Sequence, residues 1–455
     1  MSHDGRRLLS GWGRATWSSA TVVTPTSVDD VVAAVAGAGT RGLIPRGLGR
    51  SYGDQAQNAG GVVVDTRGLD RVLQVDAAAG TVTVQSGVRL GTLARVLDRY
   101  GLALPVVPGT QEVTVGGAVA ADVHGKNHHR DGSFGRYVTR MTVVTADGAV
   151  RELRPQGDGD GDAELFWGTL GGLGLTGLVV DVDLEVLRPP SPWLSVDVVR
   201  AGDLDELLAA LARADQRRYS AAWVDCLARG RRAGRGVVTA ADHADPDEVH
   251  GMSSQRSGRR VPTGRPARVR VPAWVPPGLL NRWSAAAFND GWYRASRPGT
   301  GVLQEPSRVL HPLDGVADWN RLYGPRGFVQ YQCVVPDVLA LTDLLSLLRS
   351  ARAPALLAVV KRLGDASPGS LAFPRPGWTL AVDLPAGTDG LAGLLDELDT
   401  VVAEAGGSVY LVKDARLQPE LVPVFYPRLE AWRALRERVD PSRRWQSDIA
   451  RRLSL

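Results

Sequence analysis

Two glycine-rich loops constrain this chain more than any other feature. The first, PRGLGRSYGDQAQNAGG, follows the β-rich run GLIP and leads into the short runs GGVVVDT, RVLQVD and GTVTVQSG. The second, PGTQEVTVGGAVAADVHGKNHH, lies about sixty residues further on. Glycine reaches φ > 0 at no steric cost, so successive backbone N–H groups can converge into an anion-binding nest. In the second loop the small residues Ala118, Ala120 and Ala121 extend the stretch over which a flat ligand can approach the backbone. Two such loops, each after a strand, fit one long ligand held at two places.

A third glycine motif is deceptive. Gly172, Gly174 and Gly177 spell GxGxxG. A dinucleotide fingerprint must follow a strand and open a helix, so that phosphate meets the helix N-terminus. Here the helix-like ELFWGTL precedes and the strand-like LVVDVDLEV follows. The dinucleotide reading is rejected.

Around these loops the pattern predicts an α+β chain. Ser27 and Asp30 form a capping box before an apolar face of Val31, Val32 and Val35, with Gly37 and Gly39 ending that helix. LGTLARVLDRYG is a second amphipathic helix, and Asp147-Gly148 marks a hairpin in MTVVTADGAV. After Arg188-Pro189-Pro190 the composition shifts. LSVDVVR, AAWVDCL and FVQYQCVVP read as strands of a second sheet, alternating with helices such as DLDELLAALARADQ and DVLALTDLLSLLRSA. Residues 229–312 read as a poorly patterned, flexible insert. From Gly251 to Arg270 it carries six arginines and no acid, followed by VPAWVPPGLLNRW. The C-terminal stretch reads as basic helix.

At 455 residues the chain exceeds one ordinary core. A net charge of +4, with no basic run interleaved with aromatics, argues against a nucleic-acid partner. Cys226 and Cys333 stand apart and read as buried thiols in a reducing compartment. No apolar signal segment or spanning helix is read, so the expected location is cytoplasmic or peripheral at the inner membrane.

Three histidines crowd into HGKNHH, as His124, His128 and His129. Zinc sites use HxxxH on a helix with supporting carboxylates, whereas HGKNHH has a glycine and no helix signal, so no metal is expected. His124 and Lys126 read as the wall of a cofactor and substrate site, and His128 and His129 as loop packing.

With RGLGRSYGD, PGT…VTVGGA, HGKNHH and the C-terminal KD…YPR…W…R…VDP, the chain resembles the vanillyl-alcohol-oxidase class of FAD flavoproteins. Within that class it is similar to the decaprenylphosphoryl-ribose 2′-oxidase family. The resemblance implies a two-domain fold: an FAD-binding domain of residues 1–188 completed by 408–455, and an antiparallel-sheet substrate domain of 189–407. It implies that Arg46, Gly47, Leu48, Gly49, Arg50, Ser51 and Tyr52 hold the FAD diphosphate with Gly109, Thr110, Gly116, Gly117 and Ala118. Asp122, His124 and Asn127 would lie along the ribityl chain and ring, with Tyr410 on the other side. Arg50 stands where many relatives carry the histidine that bonds FAD covalently, so the resemblance implies non-covalent FAD.

Lys413 and His124 are the catalytic candidates, with Lys413 placed by resemblance at the pyrimidine edge of the flavin. Lys126, Gln330, Gln332, Lys361, Trp378, Ala381 and Lys413 would line the substrate pocket. Thr379, Ala381 and Leu363 stand where relatives often show Asn, Cys and Phe. The implied reaction oxidises the 2′-hydroxyl of a polyprenyl-phosphoryl pentose. The implied partners are an NAD(P)H-dependent short-chain reductase, quinone or oxygen as electron acceptor, and a peripheral membrane contact. A sugar-lactone or polyol oxidase is the alternative.

Overall fold

The computed structural model describes residues 5–157, 161–250 and 269–455. Most of the basic run from Gly251 to Arg270 lies outside the described residues.

Three main sheets organise the chain, and its fold is α+β. A four-stranded sheet joins Arg6–Ser10, Trp17–Val23, Val62–Asp65 and Leu43–Arg46, in that order. The last three run parallel, since helix Val28–Ala36 carries the chain back between Val23 and Leu43. The capping box of that helix is present, and Val31 and Val35 bury its inner face. A five-stranded antiparallel sheet follows, ordered Val72–Asp76, Thr81–Gln85, Leu178–Glu185, Val138–Val144, Val150–Leu153. The Asp147-Gly148 hairpin is present, with Gly148 at φ 82°. GxGxxG sits between helix Asp162–Thr169 and strand Leu178–Glu185, the order that excludes a dinucleotide fingerprint.

The third sheet has eight strands, all antiparallel. Its centre is Tyr219–Val224, Ala358–Leu363, Gly377–Pro385 and Phe328–Val335. Helices Leu204–Ala214, Val338–Ser350 and Leu391–Glu404 cover one face through Leu207, Leu344, Leu398 and their neighbours. The other face looks towards the glycine loops.

The segment read as an irregular insert contributes two strands to this sheet. Gly236–His243 lies between Leu194–Ala201 and Tyr219–Val224, and Gly299–Gln304 forms an edge. Val237, Val238 and Thr239 favour a strand, whereas Gly299 and Gly301 disfavour one, and there pairing with neighbours overrides local preference. Arg282–Ala295, in the same segment, is a helix capped by Asn281.

The C-terminal stretch folds back as helix Leu429–Val439, a turn, and helix Asp448–Arg452. Buried Trp445 bridges to Leu43, and Asp448 accepts from the Ala59 N–H. The chain's end therefore braces the first glycine loop.

Candidate active site

The first glycine loop is shaped by its own neighbours. Gly49 has φ 63°, a conformation that side chains disfavour. Among the described residues, no chain carbonyl accepts from the backbone N–H groups of Leu48, Gly49, Arg50 or Ser51. Such a row of unclaimed donors suits an anion. The two arginines of the loop have different tasks. Arg46 donates to the carbonyls of Ala56 and Ser10, at 3.0 and 2.7 Å, and braces the loop from behind. The Arg50 guanidinium lies 3.8 Å from the ring centroid of Trp12 and, among the described residues, makes no ion pair with a carboxylate. Of the pair, Arg50 is the one free to meet a phosphate.

The two glycine loops touch. A Cβ on Gly47 would lie 2.1 Å from Thr114 Oγ1, the atom that caps helix Val115–Ala120 by accepting from Gly117 N. A Cβ on Gly116 would meet Ser86 at 2.8 Å. Part of what these glycines do is therefore to let chain approach chain. Ala118 is fully buried against the same cluster as Val119. Gly109 borders open space, and Thr110 donates to Asp314, which also accepts from the Gln111 N–H.

The segment carrying Lys413 is stitched onto the first loop. Tyr52 N–H donates to Val412 O at 3.1 Å, and Gln55 Nε2 donates to the carbonyls of Leu411 and Asp414 at 2.6 Å. Gly53 leaves no room for a side chain, since its Cβ would fall 2.1 Å from Asp414 O. Arg452 closes the assembly with ion pairs of 2.8 Å to both Asp54 and Asp414. Held in this way, Lys413 Nζ sits 3.8 Å from the Tyr52 ring centroid.

The chain has only three lysines among its 53 basic residues, and all three are here. Lys126, Lys361 and Lys413 are each partly buried, and Lys361 lies within electrostatic reach of both of the others. Burial lowers Lys126 to about 7, with Lys361 adding to the shift. Lys361 falls to about 8 from burial alone. Lys413 falls to about 7 through burial, against an opposing pull from Asp383 and with a further push from Lys361. Desolvation disfavours the ammonium form, so each amine titrates close to neutrality.

Asp383 was not anticipated. It is fully buried and accepts from Gln330 Nε2 and from Tyr323 Oη at 3.4 Å. Burial raises it to about 7. Of the three lysines, only Lys413 feels its charge. Gln332 Nε2 donates to His124 Nε2 at 3.0 Å and lies 3.2 Å from Thr379 Oγ1. Gln330 and Gln332 thus share a face, as their spacing requires.

His124 is buried between Phe373 and Tyr410, and its pKa is pushed well below the ordinary value by burial and then by Lys361. Its Nε2 accepts a hydrogen bond from the Gln332 amide, which places the ring proton of a neutral imidazole on Nδ1. His128 Nδ1 accepts from Gly364 N–H, and His129 Nε2 meets Arg217 O. The three rings face different partners and pack loops.

Other candidates are committed to structure. The Asp122 carboxylate accepts from Ser133 Oγ and Gly135 N–H, and Asn127 Nδ2 donates to Pro105 O and Asp131. Both shape the second loop. Tyr410 donates to Ala121 O at 2.8 Å and stacks on Phe373, which fixes its ring. Lys126 Nζ donates to Val309 O.

Trp378 is a correction. It lies in the core with Leu380 and Val382 beneath the helices, with Arg362 over its ring at 4.6 Å. Thr379, Ala381 and Asp383 point the opposite way. Strand alternation forbids Trp378 and Ala381 from facing one pocket, and that parity was legible in the sequence. The lysine count was a second overlooked signal. A cleft of about 820 Å³ between helix Val28–Ala36 and helix Leu429–Val439 lacks any such convergence of buried titratable groups.

Comparison with known proteins agrees with this geometry. The FAD binding domain family matches residues 19–154, from the first parallel strand to the hairpin. With its glycine loops and buried amines, the chain is an FAD-dependent oxidoreductase of the vanillyl-alcohol-oxidase class. It is 38% identical to decaprenylphosphoryl-beta-D-ribose oxidase of Mycolicibacterium smegmatis, over 98% of this chain and 97% of that one. It is 42% identical to a Streptomyces coelicolor chain described by its position in the mprA 5′ region, over 81% of this chain and all of that one. Alditol oxidase of a Streptomyces species is 29% identical over 39% of this chain and 41% of its own. The chain belongs to the decaprenylphosphoryl-β-D-ribose oxidase family.

Proposed function

We propose that this enzyme oxidises the 2′-hydroxyl of decaprenylphosphoryl-β-D-ribose to the 2′-ketone, the first half of an epimerisation to the arabinose donor for cell-wall arabinan. The observation that carries the reading is the convergence of three partly buried lysines and two buried amides on the glycine loops. A sugar-phosphate needs hydroxyl recognition and a counter-charge, and this set supplies both. The residues fit FAD. The unclaimed N–H groups of residues 48–51 and the Arg50 guanidinium suit a diphosphate, and the packed small residues of the second loop suit a flat body. An arginine at position 50 offers no nucleophile for a covalent link, which supports non-covalent binding.

Bound FAD supplies the two-electron acceptor for the hydride leaving C2′. The chain supplies the rest. Lys413 stabilises negative charge at its ammonium, tuned by Asp383. Gln330, Gln332 and Lys361 orient the sugar, with Ala381 beside them, and Lys126 faces the phosphate. The hydroxyl proton needs an acceptor, and an amine titrating near neutrality can take it. A separate NAD(P)H-dependent short-chain reductase would return the ketone to the epimeric alcohol, with quinone or oxygen reoxidising the flavin. Among the described residues no helix is long and apolar enough to cross a membrane.

The test is anaerobic mixing of the yellow protein with a short-chain polyprenyl-phosphoryl-ribose. Bleaching of the oxidised flavin band, lost in Lys413→Ala, is expected. The partial likeness to alditol oxidase favours a second reading, oxidation of a free polyol. Bleaching by a polyol or lactone, with none from the lipid, would establish that reading instead.

A further inference from the structure

Helix Arg282–Ala295 is amphipathic in an unusual sense. Its inward contacts are small or polar: Ala285 and Asn289 are buried, and Asn289 Nδ2 donates to Asp225 Oδ1 at 2.9 Å. Arg235, itself buried, pairs with both Asp225 and Asp290 and fixes the helix to the sheet. The large aromatics point outward. Trp283 is 71% exposed, and Phe288 and Trp292 stack with ring centroids 6.3 Å apart. In the loop before the helix, Trp274 is 70% exposed and Leu279 is also exposed. Isolated exposed apolar residues are ordinary, but five on one helix and the loop before it mark a contact surface.

We infer that this face docks the enzyme on an anionic lipid bilayer. The charge around it decides between possible partners. From Val269 to Gln304 the chain carries Arg270, Arg282, Arg294 and Arg297 against a single acid, Asp290; Arg294 pairs with Asp290 and Arg270 with Asp318, which leaves Arg282 and Arg297 as the positive charges without an ion pair among the described residues. The Arg282 guanidinium lies 4.7 Å from the Trp283 ring centroid. Tryptophan beside arginine is the chemistry of a membrane interface, where the indole sits at headgroup level and the cation meets lipid phosphate.

The face is tied to the active site at both ends. Val269–Arg270 pairs with Val316–Ala317, and Arg321 Nη1 donates to Val271 O. Between face and site, Val309 O receives Lys126 Nζ, and Asp314 holds Thr110. Asn320 Nδ2 donates to Trp12 O, under Arg50. A bilayer on this surface would present a lipid-linked sugar beside the site. This last point rests on the proposed substrate, whereas the docking itself does not.

The experiment compares the FAD-loaded full chain with a variant carrying Trp274→Ser, Trp283→Ser, Phe288→Ser and Trp292→Ser. Flotation is measured with phosphatidylglycerol–phosphatidylcholine vesicles and with phosphatidylcholine alone. The wild type is expected to float with the anionic vesicles, less so at high salt, and the variant to partition at least about tenfold more weakly. The variant should oxidise a soluble short-chain polyprenyl-phosphoryl-ribose normally and lose turnover only on vesicle-embedded lipid. Equal flotation of variant and wild type, no flotation of either, or a dimer that the substitutions dissolve would overturn the inference. Flotation without oxidation of either substrate would refute the substrate assignment and leave docking intact.

Discussion

Replacing Gly47 with alanine tests whether the two glycine loops work as one unit. The backbone at Gly47 is not in the left-handed region, so alanine adds no conformational strain, unlike Gly49 at φ 63°. The effect is therefore steric. The new Cβ would lie 2.1 Å from Thr114 Oγ1 and 3.0 Å from its Cγ2. Relief requires the Thr114 hydroxyl to swing away from Gly117 N–H, which loses a helix cap worth about 1 kcal/mol. The remaining crowding at Cγ2 and Cβ adds roughly 1–2 kcal/mol of overpacking. Gly47→Ala should thus cost about 2–3 kcal/mol, and Thr114→Ala alone about 1 kcal/mol. In the double variant the cap is lost once and most of the overlap is gone. Its cost should fall short of the sum by about 1 kcal/mol or more. Urea unfolding of the four proteins measures this, and FAD titration should show the same ordering. If Gly47→Ala unfolds within about 0.5 kcal/mol of wild type, or the two changes add, the loops are not in contact and the reasoning fails.

Four further outcomes are expected. Lys413→Ala should slow anaerobic flavin reduction about a hundredfold or more, the usual effect of removing a group aimed at developing charge, while the protein stays folded and yellow. Asp383→Asn removes the anion that raises Lys413, so the Lys413 pKa falls from about 7 and the alkaline limb of the reduction profile moves to lower pH. A limb that stays in place would uncouple the pair. Lys361→Met should stabilise the apoprotein at pH 7 by roughly 1–3 kcal/mol while impairing turnover. The folded pKa near 8 lies below the unfolded one, so the unfolded state binds more protons and the buried ammonium destabilises until pH exceeds that range. A drop in urea midpoint would contradict this. Finally, Cys226, pushed by burial up to about 12, and the likewise buried Cys333 should resist iodoacetamide in the native protein and react once unfolded.

Much of this was legible in the sequence because local rules are strong where they act alone. The capping box at Ser27, the Asp147-Gly148 turn and the order of elements around GxGxxG depend only on neighbours along the chain. The glycine loops and HGKNHH also stood out, and Lys361 lies within electrostatic reach of both Lys126 and Lys413. Readings failed where two segments compete for one role. Arg46 and Arg50 are equivalent as letters, and only the carbonyls of Ala56 and Ser10 turn Arg46 inward. The strand Gly299–Gln304, with glycines at 299 and 301, has weak β-preference and exists through its sheet neighbour.

What the sequence determined by itself was the vocabulary: α+β elements, two glycine loops that tolerate close approach, and a chain so poor in lysine that each one invites an explanation. What the tertiary structure decided was which way each side chain faces. Trp378 went to the helix-covered side of its strand and Asp383 to the site, because the apolar set Trp378, Leu380 and Val382 had to meet the helices. Burying that set fixed the strand's orientation, and the opposite parity delivered a carboxylate to Lys413. Periodicity specifies two faces, and only the burial of one of them tells which is which.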